Sequence, residues 1–377
     1  MSKKNKKVTF VFQTGRAKKI ESEIPYAKDM FYTYFNFQKE YETDIIEFRH
    51  FEHTIINKFF LVFEREVIRR FFKIPVYWVF LTSKENFKKL FNSNAIILST
   101  NRVASSVLPM LIIIKLLKRK VSVSFFVLGL YSSEPKYIFL KFFQSLYYFV
   151  LFLVADNIFF IGEGEYEYAI KKKRFFLNKF HYIPFGIDLD FWKTNKQINI
   201  NEKSGILFVG NDSNRNFKTV IELSKKLKKY DFTFVTNQIS QEEIPENVVL
   251  HKGSWGTPAV TDTELKKLYE KNKLTIIPLK ESLQPSGQSV ALQSMAVGTP
   301  VLITKTSGLW DKKNIIDEEN IFLLESDNLD EWKEKILNLY ENTEKLNKIS
   351  KNSIRCIDDH FDKEQFYINI KSKIKIL

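Results

Sequence analysis

The residues best suited to chemistry stand together at Ser286-Gly287-Gln288-Ser289. They follow a short apolar run, Leu274 to Ile277, which Pro278 closes, and a polar loop ending in Pro285. From Ser289 onward Val290, Leu292, Met295 and Val297 recur as one face of a helix. Gly298-Thr299-Pro300 stops that helix, with Gly past the last turn and Pro beyond it. Val301 to Ile303 is a second buried strand. The order strand, loop, helix, strand places the Ser-Gly corner at the carboxyl end of a strand, where open parallel sheets bind ligands. Free N–H groups and the positive end of a helix dipole suit an anion there, most simply a phosphate. Gly287 admits close backbone approach, and Ser286 and Ser289 add hydroxyl donors. Ser-Gly is equally an ordinary loop and N-cap. The chain has no GxGxxG or GxxxxGK[ST] fingerprint.

The elements that must position this corner form two series of alternating strands and helices. In the first series strands are expected at Val8 to Gln13, Thr43 to Phe48, Ala95 to Ser99, Val121 to Leu128, Asp156 to Ile161 and His181 to Asp188. Helices are expected at Tyr26 to Glu40, up to Leu117, and at Glu165 to Lys173. A polar linker, Lys193 to Lys203, leads to further strands at Ile206 to Gly210, Phe232 to Val235 and Val248 to His251, and to helices at Phe217 to Tyr230 and Glu264 to Asn272. Asn320 to Leu324, a helix from Leu329 to Tyr340 and a helical tail from Phe361 to Leu377 complete the pattern. Such alternation predicts an α/β protein with parallel, doubly wound sheets. A chain of 377 residues exceeds one comfortable core, so two domains are expected. Their bounds are read as residues 1–195 and 204–360, with 361–377 a helix returning to the first domain.

Composition narrows the function classes. The single cysteine, Cys356, excludes an internal disulfide, argues against a Cys-based metal site and suits a reducing cytoplasm. The lysine-rich start runs directly into a strand with no signal-peptide core. A net charge of +14 calls for an anionic partner. Zinc-finger, RNP and basic-arm patterns are missing, so nucleic acid is not the expected partner.

Several pieces together resemble the family-4-like retaining glycosyltransferases of the GT-B fold, the group 1 glycosyltransferases. Gln293-Ser-Met-Ala-Val-Gly-Thr-Pro-Val-Leu302 resembles the family's "EAMAxGxPVV" run, Ile206 to Leu223 its "ILFVGRLVPEKGVDTLLEA", Ala155 to Glu165 its "ADRIIAVSEAE", and Tyr182 to Trp192 its "VIPNGVDLERF". The resemblance implies two Rossmann-like domains facing a cleft that holds a nucleotide diphosphate sugar. Arg215 falls at the family's pyrophosphate-binding cation, and its planar fork donates two parallel hydrogen bonds; the plain alternative is a solvated surface Arg. Asn211 replaces the second cation of that pair. Asn237 and Trp255 fall near the nucleobase, and Thr14-Gly15-Arg16 in the place of the acceptor loop. Two family Glu are replaced, by Pro285 and Gln293. Gln293 can still hydrogen-bond a ribose, and Glu281, earlier in the loop, is the candidate to substitute for the first Glu beside the donor sugar. The usual His after the fourth strand is missing from Phe126 to Leu130.

The resulting expectation is a glycosyltransferase acting on a glycan or lipid-linked acceptor, with no cofactor and no metal. No Asp-x-Asp metal motif stands in a suitable place. The alternatives are a non-catalytic nucleotide-sugar or glycan-binding protein on the same fold, motivated by the missing carboxylates and His, and a phosphorylase using the same cleft. The almost wholly apolar run Phe142 to Val154 is too short to span a bilayer. Basic-aromatic clusters at Arg69 to Lys73 and Lys171 to Phe176 suit an anionic membrane surface. A peripheral position on the cytoplasmic membrane face is therefore expected, against the alternative of a fully buried helix.

Overall fold

The computed structural model describes residues 6–48, 54–194, 199–253 and 260–377. Two compact units emerge, the first made of residues 1–22, 31–183 and 366–377, the second of residues 23–30 and 184–365. The first boundary thus falls after Ile183, not at 195 as read from the sequence. A short N-terminal segment, 23–30, belongs to the second unit.

The first unit opens with β1 (Lys7–Val11), α1 (Arg16–Ile20), α2 (Tyr34–Gln38) and β2 (Glu42–Ile46). Then come α3 (Ile55–Phe63), a π-helical turn at Glu64–Arg69, α4 (Trp78–Leu81), α5 (Lys84–Phe91), β3 (Ala95–Leu98) and α6 (Asn101–Leu116). It continues with β4 (Ser122–Val127), α7 (Ile138–Val154), β5 (Asn157–Phe160), α8 (Glu163–Lys172) and β6 (Phe180–Tyr182). The strands form one parallel sheet in the order β2-β1-β3-β4-β5-β6. Every residue of β3, β4 and β5 is buried, as expected for strands covered on both faces. One expected element fails. The helix read over Tyr26 to Glu40 is only a short 3-10 turn and the five residues of α2, because Tyr32 and Thr33 adopt positive φ between them.

In the second unit α9 (Leu189–Trp192) precedes β7 (Ile206–Val209), α10 (Phe217–Lys226), β8 (Phe232–Val235) and β9 (Val248–His251). α11 (Asp262–Lys271), β10 (Leu274–Ile277), α12 (Gln288–Ala296), β11 (Val301–Thr304) and β12 (Phe322–Leu324) follow. α13 (Leu329–Glu341), α14 (Thr343–His360) and α15 (Lys363–Lys373) end the chain, α15 passing into the first unit. There Tyr367 and Lys371 both donate to the Glu40 carboxylate. The second sheet is also parallel, ordered β12-β11-β10-β7-β8-β9. The direction of winding reverses between β7 and β10, which are neighbours in space. That reversal opens a crevice at the carboxyl ends of these two strands, the place where doubly wound sheets take ligands.

α12 departs from its expected one-sided pattern. Its apolar spacing suggested a single buried face, yet eight of its nine residues are buried. Its polar side chains are satisfied internally: the Ser294 hydroxyl bonds Thr275 Oγ1 at 2.8 Å and the Thr299 carbonyl at 3.0 Å. Gly298 ends the helix in a left-handed conformation, as its place before Thr299-Pro300 requires.

Candidate active site

The loop after β7 and the loop after β10 meet in the crevice at the reversal point. Asn214 joins them. Its side-chain amide donates to Ser286 Oγ at 2.8 Å and to Gln284 Oε1 at 3.2 Å. The Asn216 amide donates to the Pro278 carbonyl, and the Lys280 amide to the Asn214 carbonyl. Arg215 pairs its backbone with Leu279 across the same seam. The backbone therefore fixes the point from which the Arg215 side chain departs.

That side chain is only 3% exposed. Of its guanidinium nitrogens, Nη2 lies 3.4 Å from Asp212 Oδ2, while Nε and Nη1 have no hydrogen-bond partner among the described residues. Burial lowers the pKa of the group below its usual value, with Asp212 opposing that shift. An arginine nonetheless stays protonated in a protein. A buried cation with two idle donors costs several kcal/mol unless an anion meets it.

Two glycines make the room. A Cβ on Gly210, the first residue after β7, would lie 2.2 Å from Arg215 Nε. One on Gly287 would lie 3.0 Å from Arg215 Nη1 and 2.9 Å from Ile277 Cγ2. Gly287 also has φ 82 and immediately precedes α12, so the guanidinium sits beside the helix N-terminus. Ser286 and Gln288 are buried there, and Ser289 half-buried, in the first turn. The corner read from the sequence as an anion site and Arg215 are thus brought together.

The other sequence candidates are placed differently. Asn211 holds strand ends: its Oδ1 accepts from the Asn237 amide at 2.6 Å and Thr236 Oγ1 at 3.1 Å, and its Nδ2 donates to the Gly253 carbonyl. Asn237 is exposed. Glu281 is exposed and accepts from the Ser307 amide at 3.0 Å. Trp255 lies outside the described residues. In the first unit Gly15 has φ 90 at the start of α1, where the Glu47 carboxylate accepts from the Arg16 and Ala17 amides. Arg16 reaches back to the Thr14 carbonyl and lies over the Phe12 ring. The N-terminus of α1 already carries its anion.

Gln293 lies mid-helix with both ends of its amide engaged. Nε2 donates to Asp29 Oδ2 at 3.0 Å, and Oε1 accepts from the Tyr269 hydroxyl at 3.4 Å. Asp29 also accepts from Trp192 Nε1 at 2.7 Å and from the Asp188 amide. The Asp188 carboxylate in turn accepts from the Lys28 amide, and Asp262 from Ala27. These bonds fix the 23–30 segment to the second unit. Burial pushes Asp29 up to about 6 despite three donors. Where the resembling family carries a His after β4, the first unit has a loop held by Glu165, which accepts from the Gly129 amide and is pushed by burial up to about 7.

Sequence reading missed Gly210, Asn214 and Asp29. Gly210 was detectable as a glycine directly after a buried strand. Asn214 and Asp29 act through partners 72 and 264 residues away, a separation that no local pattern reports. Among the described residues no group of three His, Cys, Asp or Glu side chains is arranged to hold a metal ion.

Residues 190–355 match the model of the group 1 glycosyl transferases. That match covers under half of the chain. Solved structures of low identity share the fold over nearly the whole chain. A sucrose-phosphate synthase from Thermosynechococcus elongatus superposes with a TM-score of 0.67 at 13% identity, over 97% of this chain and 98% of that one. HepE from Anabaena, in complex with UDP-glucose, gives 0.64 at 13% identity over 97% and 99%. A glycosyltransferase from Rickettsia africae gives 0.63 at 11% identity, over 98% of each chain. The architecture is GT-B, with two Rossmann-like units. No curated sequence matches the chain.

Two substitutions separate backbone strain from side-chain displacement. Gly287→Ala should lower stability by about 1–2 kcal/mol or more, since it loses a positive φ and meets Ile277. Gly210→Ala loses no positive φ; its Cβ would force the buried Arg215 guanidinium aside, which releases an under-paired charge and should cost less. Chemical denaturation compares them, and equal losses would contradict the assignment. Asp29 predicts a pH dependence. Its folded pKa of about 6 exceeds the usual 3.8, so the protonated form is favoured by folding. The associated stability is full below about pH 4 and is lost as pH rises through about 6, on the order of 3 kcal/mol in all. Unfolding free energies should fall over that window in the native protein and fall less in Asp29→Asn.

Proposed function

We propose that the chain transfers a sugar from a nucleotide diphosphate donor to a glycan or lipid-linked acceptor, with retention of configuration and without a metal ion. The observation that carries this reading is the buried, half-idle guanidinium of Arg215 beside the N-terminus of α12. A departing diphosphate gains negative charge in the transition state, and preorganised donors that meet it lower the barrier. Arg215 Nε and Nη1 supply charged donors, and the helix terminus adds its dipole. Together they offer the positive charge that a divalent ion provides elsewhere. The UDP-glucose bound by HepE supports a nucleotide-sugar donor and makes UDP the first probe. In this reading the donor is a substrate and no cofactor takes part.

Gln288, Ser286 and Ser289 would border the diphosphate. Asn237 and Trp255 are proposed on the nucleobase side, Glu281 near the sugar, and Thr14, Gly15 and Arg16 on the acceptor side. Asn211 shapes the loop ends through its three hydrogen bonds. Surface polysaccharide or glycolipid synthesis at the cytoplasmic membrane face is the proposed setting. Retention rests on the family resemblance.

A second reading, a nucleotide-sugar-binding protein without catalysis, is favoured by one observation. Gln293 replaces a family Glu and spends both ends of its amide on Asp29 and Tyr269. Hydrolysis of a nucleotide sugar by the purified protein separates the two readings, since a pure binder releases no UDP.

Turnover should survive EDTA and fall about a hundredfold or more in Arg215→Ala. Arg215→Lys should recover only part, because an ammonium lacks the planar fork. Steady-state kinetics on the purified variants, with and without chelator, provide the check. Loss of activity in EDTA, restored by magnesium or manganese, would assign the charge to a metal.

A further inference from the structure

The first unit carries an apolar surface that its own core does not explain. α3 has the sequence IINKFFLVF, and none of its residues is buried. Ile55 is 87% exposed and Phe59 67%. α7 buries Leu140, Gln144, Tyr148, Leu151 and Phe152, yet turns Phe142, Phe143, Leu146, Phe149 and Leu153 outward. Phe142 is 65% exposed, so this helix is not the fully buried element considered from the sequence. The two helices are linked by contacts. The π-helical turn that continues α3 leads to Phe72, whose ring packs on Phe143 at 6.0 Å. At the far end Phe149 packs on Phe175, which is 75% exposed. A contiguous apolar face of this extent marks a docking site.

Charge identifies the occupant. Exposed Lys58, Arg65, Arg70 and Lys73 flank α3 and its continuation, and Lys171, Lys172 and Arg174 flank Phe175. Near Leu116 and Leu117 stand Lys118 and Lys120. The acidic groups on this face are few: Glu66 pairs with Arg65 and Arg70, and Glu134 with Lys141. An apolar stripe bordered by lysine and arginine fits the headgroup region of an anionic bilayer. A protein partner would have to supply a matched acidic rim around a wide aromatic face. No helix among the described residues is long and apolar enough to cross a membrane, so the contact is lateral.

Within this face lies a cavity of about 410 Å³, lined by Ile68, Phe72, Trp78, Leu108, Ile112 and Leu146 among other apolar side chains. We propose that the α3–α7 face of the first unit docks on an anionic phospholipid bilayer and that this cavity takes an acyl chain from it. The docking requires no sugar transfer, so it stands or falls independently of the donor chemistry.

Vesicle flotation of the full chain tests the docking. Phosphatidylglycerol–phosphatidylcholine vesicles at low salt should recruit the protein. Pure phosphatidylcholine, or high salt, should recruit at least about tenfold less. Phe142→Glu/Phe143→Glu should abolish recruitment while circular dichroism and the thermal transition stay native. Phosphatidylcholine brominated on its acyl chains, mixed into the anionic vesicles, tests the cavity. It should quench tryptophan emission, and Trp78→Phe should remove the quenched component. Trp192, Trp310 and Trp332 lie buried in the second unit. Failure to float on anionic vesicles overturns the docking. Self-association that the double variant removes, without vesicle binding, would give the face to a second copy. Flotation with quenching unchanged in Trp78→Phe overturns the cavity assignment.

Discussion

A guanidinium held inside the protein with two of its donors idle is the constraint on which the candidate site depends. Arg215 cannot shed its charge, and its nearest carboxylate, Asp212, stands at 3.4 Å from only one nitrogen. The fold holds this arrangement with two loops sewn together by Asn214 and with glycines at 210 and 287. Any larger residue at 210 would stand where Nε stands. Glycine at these two positions leaves the Arg215 guanidinium its place beside a helix N-terminus, a kind of corner that suits an anion. The sheet supplies the location, because among the described residues of the second unit the winding reverses between β7 and β10 and nowhere else.

The same helix explains one departure from the resembling family. Position 293 would carry a Glu by that pattern, but Gln293 Nε2 lies 3.0 Å from the Asp29 carboxylate. A Glu there would set two buried carboxylates against each other, which forces one to take up a proton. An amide supplies a donor to Asp29 instead, and Trp192 and the Asp188 amide supply two more. The Gln therefore belongs with the 23–30 segment, which docks on the second unit rather than the first. Gln293 is thereby tied to the packing around Asp29.

Much of this architecture was legible in the sequence, because buried parallel strands such as Ile206–Val209 and Leu274–Ile277 are short apolar runs closed by Gly or Pro. Gly298 and Pro300 likewise announced the end of α12. What escaped was tertiary. Periodicity assigned α12 one apolar face, whereas burial on all sides is set by α14 and the sheet. Positive φ at Tyr32 and Thr33, which broke the expected helix before β2, leaves no local trace in residues of those types. Asn211, placed at the pyrophosphate by the resemblance, also braces strand ends through its hydrogen bonds, which no local pattern reports. Nothing local to Asp29 announces three donors drawn from distant parts of the chain.

Nitrogen-15 spectra of the arginine Nε–H groups observe the idle donor itself. The Arg215 resonance, assigned by its disappearance in Arg215→Lys, can be followed while UDP is added in the presence of EDTA. A charge-assisted hydrogen bond from Nε to a phosphate oxygen shifts that proton downfield and slows its exchange. The account predicts such a shift, saturating with one equivalent of bound UDP. An Arg215 resonance that stays in place while UDP binds would show that the nucleotide's phosphates lie elsewhere, and would contradict the central claim.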